Sequence, residues 1–400
     1  MIKDAISGLQ ILFVAFGAMV LVPLLTGLNP AMALLGAGCG TIIFQIITKF
    51  KVPIFLGSSF AFITPIIYSM KEWGINSTMF ALFCTGFVYF IFAAIIKTKG
   101  EKFIEKLFPA VVIGPVIIVI GLSVAVSAAG MAMGMSGSNQ VIDKDIALML
   151  STFSFLVTIV VAIFGSKMFK LVPILIGAIC GYLLAFVLGY VDTTAIKAAP
   201  WFAVPHFETP SINFSAAIFM IPVAIAPVIE HIGAVMAIGA VTKKDYTKDP
   251  GLHRTLSGDG VGVCVAGLIG GPPVTTYSEV TGAIMITKNA QVKIMTWAAI
   301  FAICLAFVGK FNAILSSIPL PVMGGVMILL FGTIASLGVK TLVDAKIDLT
   351  NNKNLVIISS TLIVGVGGLS ANFGSISFSG VGLSALLAIV LNLILPNKQD

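Results

Sequence analysis

Long apolar segments recur along the whole sequence, and they limit the possible fold more than any other feature. Each is about 17–25 residues long, which is enough for an α-helix to span the hydrocarbon core of a bilayer. Of the 400 residues, 58% are hydrophobic and only 10% are charged, whereas soluble domains carry roughly 25% charged residues. So few polar residues cannot cover the exterior of a soluble protein. The sequence therefore predicts an all-α polytopic membrane protein.

The apolar runs predict fourteen transmembrane segments. In chain order these cover residues 9–27, 30–48, 53–68, 78–97, 108–128, 145–166, 172–190, 214–240, 255–270, 273–286, 292–309, 320–339, 354–370 and 380–396. Segment 1 has no signal-peptide cleavage site after it, and we expect it to be a retained helix. Segments 3 and 10 are short and interrupted by Gly, Pro, Ser and Thr, which indicates an extended strand followed by a half-helix. Because extended backbone cannot face lipid, we expect both strands to be buried and able to pair with each other.

The basic residues predict the orientation of the chain. If Met1 is cytoplasmic, only four of the 23 Lys and Arg residues fall outside, namely Lys71, Lys144, Lys197 and Lys310. The other nineteen are Lys3, Lys49, Lys51, Lys97, Lys99, Lys102, Lys106, Lys167, Lys170, Lys243, Lys244, Lys248, Arg254, Lys288, Lys293, Lys340, Lys346, Lys353 and Lys398. Cytoplasmic loops of membrane proteins are enriched in Lys and Arg. We therefore expect both termini in the cytoplasm, a multi-pass location in the lipid bilayer of the cytoplasmic (inner) membrane, and no nucleic-acid partner.

The two halves of the chain carry similar motifs in the same order. Three pairs of runs match. Residues 109–116 match 319–326, and residues 53–60 match 273–280. The third match aligns Gly36, Gly38 and Gly40 with Gly258, Gly260 and Gly262. Each pair joins segment n to segment n+7, and an odd offset gives the two halves opposite orientations. The sequence thus predicts a seven-plus-seven inverted repeat, which is typical of secondary transporters. The alignment of 53–60 with 273–280 places Ser59 opposite Glu279.

Two glutamates lie inside segments that should otherwise contact lipid: Glu230 in segment 8 and Glu279 in segment 10. An ionised carboxylate in hydrocarbon costs several kcal/mol, so such a group faces a cavity, a partner or a substrate. Burial also favours the neutral form of a carboxyl group, so that it can take up a proton on one side and release it on the other. We predict that both glutamates bind substrate and carry a coupling proton. A pair of acids hydrogen-bonded to neighbouring helices is the alternative.

Other polar and aromatic side chains surround these acids in the sequence. Phe60 and Tyr277 could stack on a flat heteroaromatic ligand or pack between helices, and Gln10 could donate to the site or cap a neighbouring helix. His231 points about 100° away from Glu230 on a helix, which favours packing or hydrogen bonding over proton transfer. The residues expected to support the site from behind are Gln10, Ser59, His231 and Thr276. Asp259, near the cytoplasmic start of segment 9, is a weaker third candidate for binding and proton coupling, and a solvated helix end is the preferred interpretation.

Catalytic and metal-binding patterns are missing from the sequence. The five cysteines lie within predicted spans without metal-ligand spacing, and the three histidines are scattered. No nucleophile–base arrangement and no phosphate-binding Gly-rich loop with its Lys is present. We therefore expect a protein that is not an enzyme and that binds neither a metal nor an organic cofactor, with the proton as its coupling ion.

Several longer runs carry a resemblance to a known family. They are residues 16–23, 56–62, Glu230-His231-Ile232-Gly233, 243–254, Thr275-Thr276-Tyr277-Ser278-Glu279 and 318–326. Through them the chain resembles the nucleobase–ascorbate transporter family, and within it the bacterial uracil permeases, over nearly all of its length. The resemblance implies proton-coupled uptake of a small nucleobase, with uracil as the first expectation.

The resemblance also implies a division into two domains. Segments 1–4 (residues 1–107) and 8–11 (201–311) would form a core domain, and segments 5–7 (108–200) and 12–14 (312–400) a gate domain that could form a homodimer. Substrate would lie between segments 3, 8 and 10. Glu230 and Glu279 would hydrogen-bond the pyrimidine, and backbone amides at Phe60, Tyr277 and Ser278 would meet its carbonyl oxygens.

The chain departs from the family pattern at Ile11, Ala234, Val280, Met327 and Phe331, where polar residues are common. These departures leave open the route of the proton and the choice of uracil over another nucleobase. A xanthine or other purine permease on the same scaffold is one alternative. An inorganic-anion transporter or channel is another, although it would need a cation near the half-helices, where the sequence places acids without Lys or Arg.

Overall fold

The computed structural model describes residues 2–100, 103, 106–166, 169–373 and 376–396. Lys102, Lys167 and Lys398, which contribute to the predicted charge bias, lie outside these residues, as does Met1. Within the described ranges, seven helices are long and apolar enough to cross a membrane, and four shorter apolar helices accompany them. The prediction of a polytopic, mainly helical membrane protein is confirmed, while the count of fourteen crossings stays a prediction.

The first half of the chain is built almost entirely of helices. Its elements are α1 (Ile2–Thr26), α2 (Pro30–Ile47), β1 (Leu56–Ser58), α3 (Ile63–Lys99), α4 (Ala110–Leu122), α5 (Ala125–Ala132), β2 (Met135–Ser136), β3 (Asn139–Gln140), α6 (Lys144–Phe164), α7 (Pro173–Val187) and α8 (Thr194–Ala198). Asn29 caps α2 by accepting a hydrogen bond from the Ala31 backbone N–H at 2.9 Å, and Pro30 fits the first helical turn. Gly74, with φ 79° and ψ 170°, breaks α3 into the two parts predicted as segments 3 and 4.

The second half repeats this arrangement. Its elements are α9 (Phe214–Met220), α10 (Ile225–Thr242), α11 (Leu252–Ile269), β4 (Val274–Thr276), α12 (Ser278–Thr287), α13 (Val292–Ala306), α14 (Gly309–Ser316), α15 (Leu320–Asp344), α16 (Asn352–Val366), β5 (Ser370–Phe373), β6 (Ile376–Ser379) and α17 (Gly380–Ile394). Short 3₁₀ turns at Phe60–Phe62 and Ile221–Ala224 precede α3 and α10. Pro222 lies in the second of these turns.

Helix contacts confirm the inverted repeat. A Cβ placed on Gly40 of α2 would meet Gly262 of α11, and one placed on Gly262 would meet Gly40. The two glycines therefore face each other where α2 crosses α11. The matching glycines of the two halves, Gly114 of α4 and Gly324 of α15, also make equivalent contacts. Gly114 abuts Leu342 of α15, and Gly324 abuts Ala132 of α5. Such paired contacts are expected of two halves related by an approximate two-fold axis.

Strands β1 and β4 pair antiparallel in the middle of the fold, as predicted, with Gly57 opposite Thr275. All six strand residues are buried. The ladder continues on both sides, because the Ser59 N–H donates to the Pro273 carbonyl at 2.8 Å and the Tyr277 N–H donates to the Phe55 carbonyl at 3.2 Å. These reciprocal bonds make Ser59 the structural counterpart of Tyr277.

The predicted equivalence of Ser59 and Glu279 is therefore wrong by two positions, and the counterpart of Glu279 is Ala61. The cause lies in the connectors. Residues 48–55 separate α2 from β1, whereas only residues 270–273 separate α11 from β4. The proline shared by the two runs marks the connector rather than the strand, so aligning the prolines shifts the register.

Candidate functional site

A cavity of about 960 Å³ lies between helices α4, α10, α12 and α15. Glu230 and Ser278 contribute to its wall, as do Ile113 and Ile117 of α4. The cavity extends to Lys243, Lys244, Asp245, Lys340 and Asp344. Those lysines belong to the set that the sequence assigns to the cytoplasm, so the cavity reaches the predicted cytoplasmic side.

Glu230 lies on α10, in the second turn after the 3₁₀ segment Ile221–Ala224. Its Oε2 atom is buried and has no hydrogen-bond partner among the described residues. Glu230 also interacts electrostatically with Glu279 and Asp259. The three carboxyl groups therefore lie near enough to interact, and of the three only Glu230 lines this cavity.

Ser278 and Glu279 begin the first turn of α12, which Tyr277 separates from the buried strand β4. The N–H groups of a first helical turn have no partner within their own helix, and they carry the positive end of the helix dipole. Ser278 lines the cavity, whereas Glu279 is half-buried and does not line it. This helix start can therefore offer backbone donors to an oxygen atom in the cavity.

The aromatic rings predicted to stack on a ligand are packed on each other. The Tyr277 hydroxyl donates to the Ser58 carbonyl at 2.9 Å, and the ring lies nearly parallel to that of Phe60, with centroids 6.3 Å apart. Phe60 also meets Phe331 of α15 edge-on at 5.2 Å. The Tyr277 N–H is held by Phe55 in the strand ladder, which corrects the expectation that it meets a substrate oxygen. Phe60 and Ser278, the second residues after the two strands, keep their positions at the start of a helical turn.

Behind Glu230 lies a fully buried polar cluster. The Nδ1 atom of His231 is 2.8 Å from Asp259 Oδ2 and 2.8 Å from Thr276 Oγ1. Hydrogen bonding by His231 is as predicted, but the solvated position expected for Asp259 is wrong, since its side chain is 0% exposed. The reason is that α11 begins at Leu252, so Asp259 lies in the helix interior. No local sequence signal distinguishes this acid from a solvated one.

The remaining predicted residues lie close to these elements. Ser59 is fully buried, and its hydroxyl has no partner among the described residues. Gln10 is half-buried on α1. Ala234 lines the cavity, while the family departures at Ile11, Val280, Met327 and Phe331 are all buried. Over the described residues there is no group of three or more His, Cys, Asp or Glu side chains that could hold a metal ion.

Comparison with known sequences adds an independent line of evidence. A family model described as "Permease family" (Xan_ur_permease) matches residues 3–372. The probable uracil permease of Pasteurella multocida is 51% identical over 398 residues, which cover 100% of this chain and 95% of the relative. The uracil permease of Bacillus caldolyticus is 44% identical, and the alignment covers 98% of this chain and 92% of the relative. The uracil permease of Escherichia coli is 39% identical, and the alignment covers 96% of this chain and 90% of the relative.

Solved structures share the fold at much lower identity. The transmembrane domain of the cyanobacterial bicarbonate transporter BicA aligns with a TM-score of 0.64 and 14% identity, over 98% of this chain and 96% of that one. The murine anion transporter Slc26a9 in its inward-facing state aligns with a TM-score of 0.68 and 11% identity, over 98% and 68%. At such identities the likeness concerns the fold alone.

Proposed function

The chain belongs to the permease family of nucleobase–ascorbate transporters, and from this premise we propose that it is a secondary active transporter that takes up uracil together with protons. The observation that carries the proposal is that Glu230, a carboxylate within an otherwise apolar helix, lines a cavity between two sets of helices. A carboxylate accepts hydrogen bonds from ring N–H groups. The helix start at Ser278 supplies donors of the kind that carbonyl oxygens accept.

The proposed substrate fits this arrangement in size and polarity. Uracil is a small, neutral, planar ring that alternates N–H donors with carbonyl acceptors. Glu230, together with Glu279, would accept from the ring nitrogens, and the N–H groups at Phe60 and Ser278 would donate to the oxygens. Names of relatives that are 39–51% identical over nearly their full length favour uracil over xanthine and other purines.

The proximity of three carboxyl groups supports the proposed proton coupling. Glu230, Glu279 and Asp259 repel one another when all three are ionised, and this repulsion is strong where water is scarce. A proton bound at Glu230 or Glu279 together with the substrate removes part of the repulsion. The inward proton gradient, whose electrical part supplies about 2.3 kcal/mol per charge per 100 mV, would then drive accumulation without ATP, a cofactor or a catalysed covalent step.

Movement between two domains would carry the site across the membrane. The cavity has α10 and α12 of the proposed core domain on one side and α4 and α15 of the proposed gate domain on the other. Its extension toward Lys243 and Lys340 corresponds to access from the cytoplasm if both termini are cytoplasmic and the protein resides in the inner membrane. Core movement against a gate domain, itself paired in a homodimer, would open the opposite side.

Uptake of radiolabelled uracil by cells that lack their own permease tests the proposal. We expect accumulation that an uncoupler abolishes and that excess unlabelled xanthine or adenine leaves intact. Glu279→Gln should abolish accumulation, with the cavity-remote variant Lys71→Gln as control. Preferential competition by a purine would move the assignment to a purine permease. Transport of bicarbonate or sulfate without any nucleobase would refute it and favour the anion transporters that share the fold.

A further inference from the structure

A hydrogen-bonded cluster joins α10, which holds Glu230, to α11 and to strand β4, which leads into the helix that holds Glu279. His231 lies on α10 directly after Glu230, Asp259 lies on α11, and Thr276 ends strand β4 directly before Tyr277. The side chains of His231 and Asp259 are 0% exposed, and Thr276 is 1% exposed. The cluster therefore lies behind the site, out of reach of the cavity and of lipid.

Among the described residues, the His231 imidazole makes its hydrogen bonds through Nδ1 alone. Nδ1 lies 2.8 Å from both Asp259 Oδ2 and Thr276 Oγ1, and the Thr276 hydroxyl lies 3.3 Å and 3.4 Å from the two carboxylate oxygens. Nε2 is buried and has no hydrogen-bond partner among the described residues. The Phe44 ring packs edge-on against the imidazole, with centroids 6.3 Å apart. The ring is thus fixed in orientation, with Nδ1 directed at the acid and the strand.

We propose that His231 is a positioning residue for substrate binding, which acts through Nδ1 by tying Asp259 and Thr276 to helix α10. The tie fixes the rotation of α10, and with it the direction in which Glu230 projects. Through Thr276 it also fixes the end of β4, and with it the start of α12 at Ser278. This inference rests on the proposed function, since it assigns His231 to the same site.

The place of the cluster within the fold decides which kinetic quantity it affects. All three elements belong to the proposed core domain, so the cluster would travel with the site as one unit. Its loss should weaken substrate binding and leave the rate of core movement nearly unchanged. A residue that relays the coupling proton would behave differently, because its loss would change the pH dependence and the maximal rate.

Two amide substitutions of His231 distinguish the role of Nδ1 from that of Nε2. The Asn amide reaches about as far as Nδ1, and the Gln amide reaches about as far as Nε2, and both can donate and accept hydrogen bonds. We expect His231→Asn to bind uracil within about threefold of the wild-type Kd and His231→Gln to bind roughly tenfold more weakly. KM should follow Kd, and the maximal uptake rate should change by less than about twofold. Thr276→Val should resemble His231→Gln, with Thr276→Ser as its matched control.

Hydrogen exchange without ligand tests the same tie independently of uracil. Backbone amides of residues 274–279 should exchange faster in His231→Gln than in wild type, and no faster in His231→Asn. Equal Kd and equal exchange in the two variants would overturn the inference, as would an altered pH profile with unchanged Kd. Failure of the wild-type protein to bind uracil would instead refute the proposed function, and the exchange result would still decide the positioning role.

Discussion

The ring of Tyr277 lies directly across Gly57, and this contact allows a quantitative prediction. A Cβ on Gly57 would lie 2.4 Å from Cε2 and Cζ of Tyr277 and 2.9 Å from Cε1, well inside van der Waals contact. The ring cannot swing away freely, because its hydroxyl is bonded to the Ser58 carbonyl at 2.9 Å. We therefore predict that Gly57→Ala displaces the ring and disturbs the β1–β4 pair.

The size of the effect follows from two costs. Overpacking of a buried site costs about 1–3 kcal/mol, and loss of the tyrosine hydrogen bond costs about 0.5–1.5 kcal/mol. Since 1.4 kcal/mol corresponds to a factor of ten, Gly57→Ala should weaken uracil binding roughly ten- to thousandfold or lower the folding stability by an equal free energy.

The assay is the melting temperature of purified protein with and without saturating uracil, together with the uracil Kd. Gly332→Ala is the matched control, because a Cβ at that helical position would meet no atom within 4 Å beyond the adjacent backbone of its own helix, and it should be neutral or slightly stabilising. In a Tyr277→Ala background, Gly57→Ala should have little further effect, because the clashing ring is gone. Wild-type behaviour of Gly57→Ala, or an equal loss in both backgrounds, would refute the reasoning.

Three further predictions concern contacts away from this ring. Gly233→Val, whose Cβ would lie 3.1 Å from Ile113 of α4, should slow uptake while uracil binding is retained, and Ile113→Ala should restore the rate; loss of binding instead would contradict a role at the moving interface. Thr41→Val should lower the stability by about 1–3 kcal/mol, because the Thr41 hydroxyl accepts the buried Leu56 N–H at 2.9 Å, whereas Thr41→Ser should melt like wild type. Asp249→Asn should change the melting temperature very little, because its ion pair with Lys51 is largely exposed and exposed ion pairs contribute little to folding stability. A loss of stability comparable to that of Thr41→Val would contradict this expectation.

Much of the architecture can be predicted from the sequence because lipid restricts the backbone so strongly. Apolar runs of spanning length must become helices, since every backbone polar group needs a partner inside the chain. The same rule predicts that the extended pieces after Pro53 and Pro273 are buried and paired. Glu230 stands out for the related reason that a charge within an apolar run needs a polar surrounding.

Features that depend on distant contacts could not be predicted in this way. Asp259 has no distinguishing neighbours in sequence, and only the crossing of α11 behind α10 brings it to His231. The strand register depends on connector lengths, which the matching prolines conceal. Nor does the sequence indicate that Ile113 and Glu230 line the same cavity, because this depends on how the two sets of helices pack against each other.

The central claim, that uracil binds at Glu230 and moves together with a proton held at Glu230 or Glu279, is tested most directly by recording both fluxes in one preparation. Purified protein is reconstituted into vesicles that contain a pH-sensitive dye, and a uracil gradient is imposed without any initial pH difference. We predict that uracil entry acidifies the lumen of wild-type vesicles. Glu230→Gln vesicles should show no acidification, and Lys71→Gln vesicles should behave like wild type. Uracil entry at the wild-type rate without acidification, or acidification that persists in Glu230→Gln, would contradict the account.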